Sequence, residues 1–373
     1  MTSKERVQAC LNHQTTDRVP IFMWFHPGTA RHLADLLGIP VSMVGEVMGN
    51  DIAQAWVNNN YAMEGITHEN EGEGHVDDWG IHWVREGEFN QIVDFPLISA
   101  TEQQLERYQF PYASLESLLN NMQPILEKRH NLYIGVDVSP CVFEMYWRLR
   151  GMERSLLDMI ETPALANRML SRCADFAVAL AQESCQRFKP DWLWTGDDVA
   201  GQKGLMMHPE KWRELVGPHL RRVFDIGKEH GLPVAYHCCG ALRPILPDLI
   251  EMGLDVLNPV QCNCPGMNPL ELKKEFGKTL TFMGGVDTQG LLPHGSAEQV
   301  YKATAGLIDG MTEGGGGYIL AASHTIPPET PDENIFALYA AAGVSHEEIL
   351  ARASDCRNKI DTLKCAEPYS VND

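Results

Sequence analysis

The chain alternates short, continuous apolar runs with longer segments in which apolar residues recur at helical spacing. In the segment 297–312, for example, Val300, Ala303, Leu307 and Met311 fall close to one helix face. The short runs predict seven strands, at 19–24, 132–138, 192–195, 233–237, 256–259, 279–284 and 318–321. The longer segments predict helices at 152–189, 209–230, 242–252, 269–276 and 297–312. Strands that alternate with helices indicate parallel βαβ units.

The number of strands indicates the fold class. Seven strands, with an eighth placed near 80–95, predict an α/β protein of the (β/α)8 TIM-barrel type. No linker, internal repeat or low-complexity tract interrupts the pattern. We therefore expect a single domain over residues 1–373, with a barrel core at about 15–345 and irregular N-terminal additions. In such a barrel the carboxyl ends of the strands meet at one mouth, where the chemistry takes place.

Polar and titratable side chains follow five successive predicted strands. Because a barrel brings strand ends together, these side chains are expected to face one pocket. The strand-end residues that we select on this basis are Asp197, Asp198, Gln202, His237, Cys239, Gln261, Asp287 and His324.

His237 and Cys239 form a pair with the spacing of metal ligands. Side chains two positions apart in an extended segment point the same way, and imidazole and thiolate are good zinc donors. A third ligand is needed, and His324 and Cys264 are the strand-end candidates. Three protein ligands with an open fourth position are typical of catalytic zinc. The alternative is that these histidines and cysteines pack in the core.

Carboxylates near the strand ends are candidates for acid–base catalysis. We select Asp197, Asp198 and Glu144 as catalytic residues, although the two aspartates could instead cap a helix. The candidate substrate-binding residues are Gln202, Gln261, Asp287, Trp147 and Arg31. Alternatively, the two glutamines hydrogen-bond to the backbone of their loops, Asp287 caps a helix and Trp147 packs in the core.

Composition narrows the choice of partners. The 373 residues are 44% hydrophobic, and 50 acidic against 30 basic residues give a formal charge of −20. This balance argues against a nucleic acid or an anionic membrane as the main partner, since both need a basic surface. Without a long apolar stretch or a signal-like N-terminus, the chain is expected to be cytoplasmic. Ten cysteines are too few for a disulfide scaffold.

Several segments together carry a family resemblance. They are "SKERVQACLNHQTTDRVPI", "DDWGIHW", "FEMYWRLRGMERSLLDM", "GDDVAGQKGLMMHPEKWRELVGPHL", "YHCCGALRPILPDLIEMGLDVLNPVQ", "FMGGVDTQ" and "AASHTIPPETPDENIFAL". Between residue 3 and about residue 338 the sequence resembles the uroporphyrinogen decarboxylase superfamily. The resemblance implies a (β/α)8 barrel. It also implies one of two chemistries, either decarboxylation of uroporphyrinogen or corrinoid-dependent methyl transfer assisted by zinc.

Departures from the family patterns favour the second chemistry. The decarboxylases carry an Arg-Gln-Ala-Gly-Arg segment, whereas here the corresponding stretch is "FHPGTARHL", in which Arg31 is the only arginine. The zinc methyltransferases of the superfamily use an H-x-C pair and a distant cysteine. His237 and Cys239 match the pair, and His324 stands in the distant position. No Asp-x-His-x-x-Gly corrinoid motif is present, so a corrinoid would arrive on a partner protein.

The sequence thus supports three hypotheses of different kinds. The first is a zinc-dependent methyltransferase. It would move a methyl group between a corrinoid on a partner protein and a small methylated substrate, such as an aryl methyl ether, or a thiol. The second is a metal-free decarboxylase of a small carboxylated substrate, with Asp197 or Asp198 stabilising an intermediate and Arg31 or Arg150 holding a carboxylate. The third is a non-catalytic binding protein on the same barrel. The oligomeric state is left open.

Overall fold

A computed structural model describes residues 1–58, residue 68 and residues 70–366, with side chains as far as residue 360. Its strands are β1 (Ile52–Trp56), β2 (Gly74–Val76), β3 (His82–Glu86), β4 (Phe89–Asp94), β5 (Tyr133–Asp137), β6 (Trp192–Gly196), β7 (Ala200–Gly201), β8 (Gly204–Leu205), β9 (Val234–His237), β10 (Val256–Val260), β11 (Thr281–Val286) and β12 (Tyr318–Ala322). The strands β1, β5, β6, β9, β10, β11 and β12 form one parallel sheet in that order. The α/β barrel class predicted from the sequence is confirmed.

Helices connect and cover these strands. They are α1 (Ser3–Leu11), α2 (Pro27–Leu37), α3 (Val44–Met48), α4 (Glu102–Arg107), α5 (Leu115–Leu119), α6 (Gln123–Leu126), α7 (Phe143–Arg150), α8 (Met152–Glu161), α9 (Pro163–Phe188), α10 (Pro209–Leu215), α11 (Gly217–Glu229), α12 (Leu246–Glu251), α13 (Pro269–Phe276), α14 (Leu291–His294), α15 (Ala297–Thr312), α16 (Asp332–Ala341) and α17 (His346–Ala366). Within the described chain, none of them is both long enough and apolar enough to cross a bilayer.

The predicted first strand, 19–24, lies between the two edges of the parallel sheet. Ile21 forms an isolated parallel bridge with Leu320 of β12, and Phe25 forms another with Ile326. On the other side, the amide of Asp51 donates to the carbonyl of Ile21 at 2.8 Å, next to the start of β1. The segment therefore fills the eighth position around the barrel without the continuous pairing of a regular strand.

The strand placed near 80–95 is wrong as a barrel strand. This stretch forms β3 and β4, which pair antiparallel with each other and with β2 in a separate sheet. The turn at Gly87 is too short for the crossover that parallel neighbours need. The barrel strand that the apolar pattern did not reveal is β1, whose sequence IAQAW mixes small and polar residues.

Two of the long predicted helices are interrupted. The stretch 152–189 divides into α8 and α9 because Pro163 cannot continue a helix but suits the first turn of a new one. The stretch 209–230 divides at Val216 into α10 and α11. The helices predicted at 269–276 and 297–312 match α13 and α15.

The barrel strands are buried on both faces, as is typical of a parallel sheet covered by helices. Every residue of β5, β6, β10 and β12 is buried. Aromatic residues fill the barrel interior, where Phe22, Tyr133, Trp192 and Trp194 belong to one apolar cluster. This aromatic core lies beneath the strand ends that carry the polar residues.

Candidate active site

Three potential metal ligands meet at the carboxyl ends of the barrel strands. His237 is the last residue of β9, Cys239 follows two positions later, and His324 comes shortly after β12. One donor atom from each lies within 4.8 Å of the other two. The Sγ atom of Cys239 is 3.5 Å from Nε2 of His237. The structure thus brings together the three residues selected as metal ligands, whereas Cys264 is not part of this cluster.

Hydrogen bonds orient the two imidazole rings. Nδ1 of His237 lies 2.7 Å from Oδ1 of Asn258 on β10. Because a carboxamide oxygen only accepts, Nδ1 carries the proton, and the lone pair of Nε2 faces Cys239. Nδ1 of His324 lies 3.0 Å from the hydroxyl of Thr325. Burial, with a smaller contribution from His237, lowers the pKa of His324 to about 4, so this ring is neutral and able to ligate.

The cluster has the donor chemistry of a zinc site. Two imidazoles and one thiol, drawn from two strand ends, match the three-ligand pattern of catalytic zinc. Burial raises the pKa of the Cys239 thiol well above its usual range. A bound cation would favour the thiolate and so offset that effect.

A carboxylate network borders the metal cluster. The amide of Cys239 donates to Oδ1 of Asp198 at 2.8 Å, and the amide of Asp198 donates to Oε2 of Glu144 at 3.1 Å. Glu144 forms an ion pair with Arg148 one turn later on α7. Burial, followed by the charge of Glu144, raises the pKa of Asp198 to about 6. Asp198 is therefore able to change protonation near neutral pH beside the candidate ligands.

Asp197 faces away from the cavity. Its carboxylate accepts hydrogen bonds from the amides of Val142, Phe143 and Glu144, at 3.2, 2.9 and 2.6 Å. These amides open α7, so Asp197 caps that helix from the neighbouring strand. Burial raises the pKa of Asp197 to about 7, and the three amides oppose this shift. The capping alternative thus applies, but to a helix that precedes Asp197 in the sequence.

A cavity of about 180 Å³ adjoins the cluster. Its walls include the rings of Trp24, Trp56 and Trp194, and its lining also includes His237 and His324. The ring centroid of Trp24 lies 5.6 Å from that of Trp56 and 5.4 Å from that of Trp194. Trp24 is also 5.6 Å from the imidazole of His237. We call Trp24, Trp56 and Trp194 the tryptophan wall.

Several polar residues that line the cavity were missed by the sequence reasoning, among them Asp137 and Asn90. Asp137 ends β5 and is fully buried, and burial raises its pKa well above the usual range. Its carboxylate accepts from the amide of Ser139 at 2.8 Å and from Gln54 at 3.2 Å. The strand-end rule could have found Asp137, because the predicted strand 132–138 ends beside it. Asn90, on β4, comes from outside the barrel, and no strand-end signal points to it.

Five predicted substrate-binding residues do not line this cavity. Arg31 is exposed on α2, and Gln202 is exposed in the turn between β7 and β8. The side chain of Gln261 accepts from the amide of Gly240 in the neighbouring loop, and that of Asp287 accepts from amides two and three residues later in its own loop. Trp147 packs against the hydrophobic core. A position after a strand end therefore brings a residue to the mouth without deciding where its side chain points.

Comparisons with known proteins show which family the chain resembles in sequence. A family model described as uroporphyrinogen decarboxylase (URO-D) matches residues 95–343. The chain is 25% identical over 165 residues to a methylated-thiol–coenzyme M methyltransferase of Methanosarcina mazei, covering 43% of this chain and 41% of the relative. It is 30% identical over 209 residues to a uroporphyrinogen decarboxylase of Thermus thermophilus, covering 54% and 56%. The chain thus spans about half the length of these curated relatives.

A solved structure extends the similarity to nearly the whole chain. A methyltransferase from Methanosarcina mazei superimposes with a TM-score of 0.69, covering 92% of this chain and 98% of the other. At 19% sequence identity this likeness shows the fold alone. Because the family model covers well over half of the 373 residues, the chain belongs to the uroporphyrinogen decarboxylase family.

Proposed function

We propose that the protein is a zinc-dependent methyltransferase that moves a methyl group between a small methylated compound, or a thiol, and a corrinoid carried by a partner protein. The observation that carries the proposal is the meeting of His237, Cys239 and His324 beside a small, aromatic-walled cavity. The similarity to a methylated-thiol–coenzyme M methyltransferase supports the same reaction class.

Each part of the site has a role in this proposal. His237, Cys239 and His324 would hold the zinc ion, which when bound supplies a Lewis acid for the methylated oxygen or sulfur atom, or for a thiol acceptor. The hydrogen bond from Nδ1 of His237 to Asn258 leaves Nε2 free to ligate and would fix the orientation of the ring in the metal-bound site. Asp198 lines the same cavity and accepts from the amide of Cys239, so it would position the substrate or move a proton near the leaving atom.

The remaining predicted catalytic carboxylates act through α7. The carboxylate of Glu144 accepts a hydrogen bond from the backbone amide of Asp198 and forms an ion pair with Arg148. It therefore fixes the position of Asp198. Asp197 holds the first turn of α7, which carries Glu144. We therefore assign Asp198 to the reacting atoms, and Glu144 and Asp197 to positioning.

The cavity suits a small substrate. A volume of about 180 Å³ is below the range of drug-sized pockets, and its aromatic walls favour an apolar group such as a methylated oxygen or sulfur with its neighbouring carbons. An aryl methyl ether or a methylated thiol fits this description. The methyl acceptor, a corrinoid, would approach from the mouth on its partner protein.

Metal content is the first test of this function. The protein, purified in zinc-supplemented and reducing buffer, should hold about one zinc per chain, in line with a three-ligand catalytic site. His237→Ala and Cys239→Ala should lose the metal. Cys262→Ala provides a matched control, because this cysteine lies outside the cluster. A wild-type protein without zinc under these conditions would refute the mechanism.

Turnover is tested with the zinc-loaded protein and reduced cobalamin. Methyl transfer from a thioether or an aryl ether changes the absorption spectrum of the cobalamin, and this change should be absent in Cys239→Ala. Formation of methylcobalamin at equal rates in wild type and Cys239→Ala would show that the proposed site does not carry the reaction.

The alternative, decarboxylation, is favoured by the similarity to a Thermus thermophilus uroporphyrinogen decarboxylase. The arginines proposed to hold a substrate carboxylate do not support it. Arg31 is exposed on α2, and Arg150 is buried in an ion pair with Asp158. Within the described cavity lining, Arg148 is paired with Glu144. Release of carbon dioxide from a small carboxylic acid by metal-free protein would favour the decarboxylase.

A further inference from the structure

We propose that the side chain of Asn90 hydrogen-bonds to a hydroxyl group of the substrate. The preferred methyl donor is then a methylated compound that also carries a hydroxyl. This inference rests on the proposed methyltransferase function and narrows its substrate class. It concerns a residue that lies outside the barrel and outside the metal cluster.

The side chain of Asn90 is buried without a hydrogen-bond partner. The residue is 2% exposed, and it lines the cavity beside the metal cluster. Neither its Nδ2 nor its Oδ1 atom has a partner among the residues that the structure describes. Buried carboxamides are almost always hydrogen-bonded, because an unpaired polar group loses its contacts with water and gains nothing in return. Because Asn90 lines the cavity, a ligand bound there is the group that would complete this amide.

The backbone holds Asn90 in place over the barrel mouth. It is the second residue of β4 and pairs with Arg85 on β3. The turn before it is attached to the barrel, because Nε2 of His26 lies 3.0 Å from the carbonyl of Glu88. The ring of Phe89 packs edge-on against the same imidazole, with centroids 5.1 Å apart. Asn90 is therefore positioned by a strand and two anchoring contacts, as a specificity residue requires.

The chemistry of the carboxamide selects the ligand group. It presents a donor and an acceptor side by side, and a hydroxyl can satisfy both. A carboxylate only accepts, so it would leave Oδ1 of Asn90 unpaired and would also face the buried carboxyl of Asp137. An ammonium only donates, so it would leave Nδ2 unpaired. Trp194 also lines the cavity, and its buried indole Nε1 has no hydrogen-bond partner among the described residues.

The aromatic side of the cavity then receives the rest of the molecule. Two rings of the tryptophan wall lie near the imidazole of His237, Trp24 at 5.6 Å and Trp194 at 6.4 Å between centroids. A substrate held by its hydroxyl at Asn90 would place its methylated atom against the wall and next to the metal cluster. The hydroxyl would fix orientation, and the metal would act on the atom that loses the methyl group.

Matched ligand pairs test this proposal in zinc-loaded protein. Binding of 2-(methylthio)ethanol is compared with that of 1-(methylthio)propane, and binding of 2-methoxyphenol with that of methoxybenzene, by titration calorimetry. We expect the hydroxylated member of at least one pair to bind about tenfold more tightly or better, because sites built for a hydroxyl discriminate strongly against its loss. Asn90→Leu should abolish this preference while it leaves the affinity for the hydroxyl-free compound within about twofold.

Further variants separate recognition from folding. Asn90→Asp keeps an acceptor at the same place and should retain part of the preference, whereas Asn120→Leu repeats the leucine substitution at an exposed amide and should leave the preference intact. Circular dichroism shows whether each variant is folded. The proposal is overturned if wild type does not discriminate within either pair, if Asn90→Leu keeps the discrimination, or if none of the four compounds binds.

The readout also separates this inference from the proposed function. Binding is measured without a corrinoid and without turnover, so a hydroxyl preference that depends on Asn90 would stand even if no methyl transfer were found. Conversely, methyl transfer from donors with and without a hydroxyl at equal efficiency would keep the methyltransferase and refute the role of Asn90.

Discussion

Removal of the Asp197 carboxylate should destabilise the protein through α7 rather than abolish a chemical step directly. Three amides at the start of this helix donate to it, and its side chain is fully buried. A hydrogen bond contributes about 0.5–1.5 kcal/mol, or about 1.5–3 kcal/mol when the acceptor is charged, and a pKa of about 7 leaves this carboxyl partly charged at neutral pH. Loss of a helix cap costs about 0.5–2 kcal/mol. Because the three bonds share one carboxylate, we expect Asp197→Ala to cost about 3 kcal/mol in the free energy of unfolding and Asp197→Asn about half of that.

The cost converts into a measurable shift of the melting temperature. With an unfolding entropy of about 2 cal/mol/K per residue, 3 kcal/mol corresponds to a decrease of about 4 °C for a chain of this length. Thermal unfolding followed by circular dichroism measures the shift. Asp94→Ala is the control, because Asp94 is exposed on β4 and its loss should change the melting temperature by less than about 1 °C.

The same variants discriminate between a structural and a chemical role. If Asp197 positions α7, Asp197→Asn should lower the melting temperature and reduce methyl transfer only moderately, since Glu144 and Asp198 are retained. A variant that melts like wild type but loses methyl transfer about a hundredfold or more would refute this reasoning. It would instead place Asp197 among the residues that act on the substrate.

Two further predictions concern the metal site and acid stability. Asn258→Ala should weaken zinc binding about 10–100-fold, as measured by competition with a chelator, because the hydrogen bond that orients His237 is lost; unchanged affinity would contradict this role. Two hydrogen bonds from Arg6 hold the pKa of Asp17 well below its usual range. The stability that this ion pair contributes is therefore fully present above about pH 4, and it is lost as the pH falls through the lowered pKa. Asp17→Asn should therefore flatten the decline of the urea midpoint below about pH 4, and an acid limb as steep as that of wild type would show that the pair is not its cause.

Strands with strongly apolar sequences could be predicted from the chain alone. The runs that became β5, β6, β9, β10, β11 and β12 are buried on both faces, so their sequences read as continuous apolar segments. In contrast, β1 contains Gln54, whose side chain hydrogen-bonds to Asp137 and Trp192, so a polar residue interrupts its pattern. The strands β3 and β4 mix apolar residues with charged and polar ones, unlike the buried barrel strands, and their short turn also leaves no room for a parallel crossover.

The candidate site could be predicted in part, for a geometric reason. His237, Cys239 and His324 follow strands that the pattern identified, and a barrel necessarily brings such positions to one mouth. Asn90 reaches the same cavity from a sheet that has no place in the barrel rule, so the sequence offered no way to connect it with the site. The direction of each side chain, as for Asp197 and Asp198, depends on backbone amides that no spacing rule specifies.

The tryptophan wall also gives the site an optical signature. Trp24 is tilted by 60° to Trp56 and by 57° to Trp194, with centroids less than 6 Å apart, so the electronic transitions of the three indoles are coupled in a fixed, asymmetric arrangement. Together with Trp192, whose ring centroid lies 5.5 Å from that of Trp194, these rings should contribute strongly to the near-ultraviolet circular dichroism of the protein. Any ligand that shifts Trp24 would alter that spectrum, while the far-ultraviolet spectrum of the barrel stays unchanged.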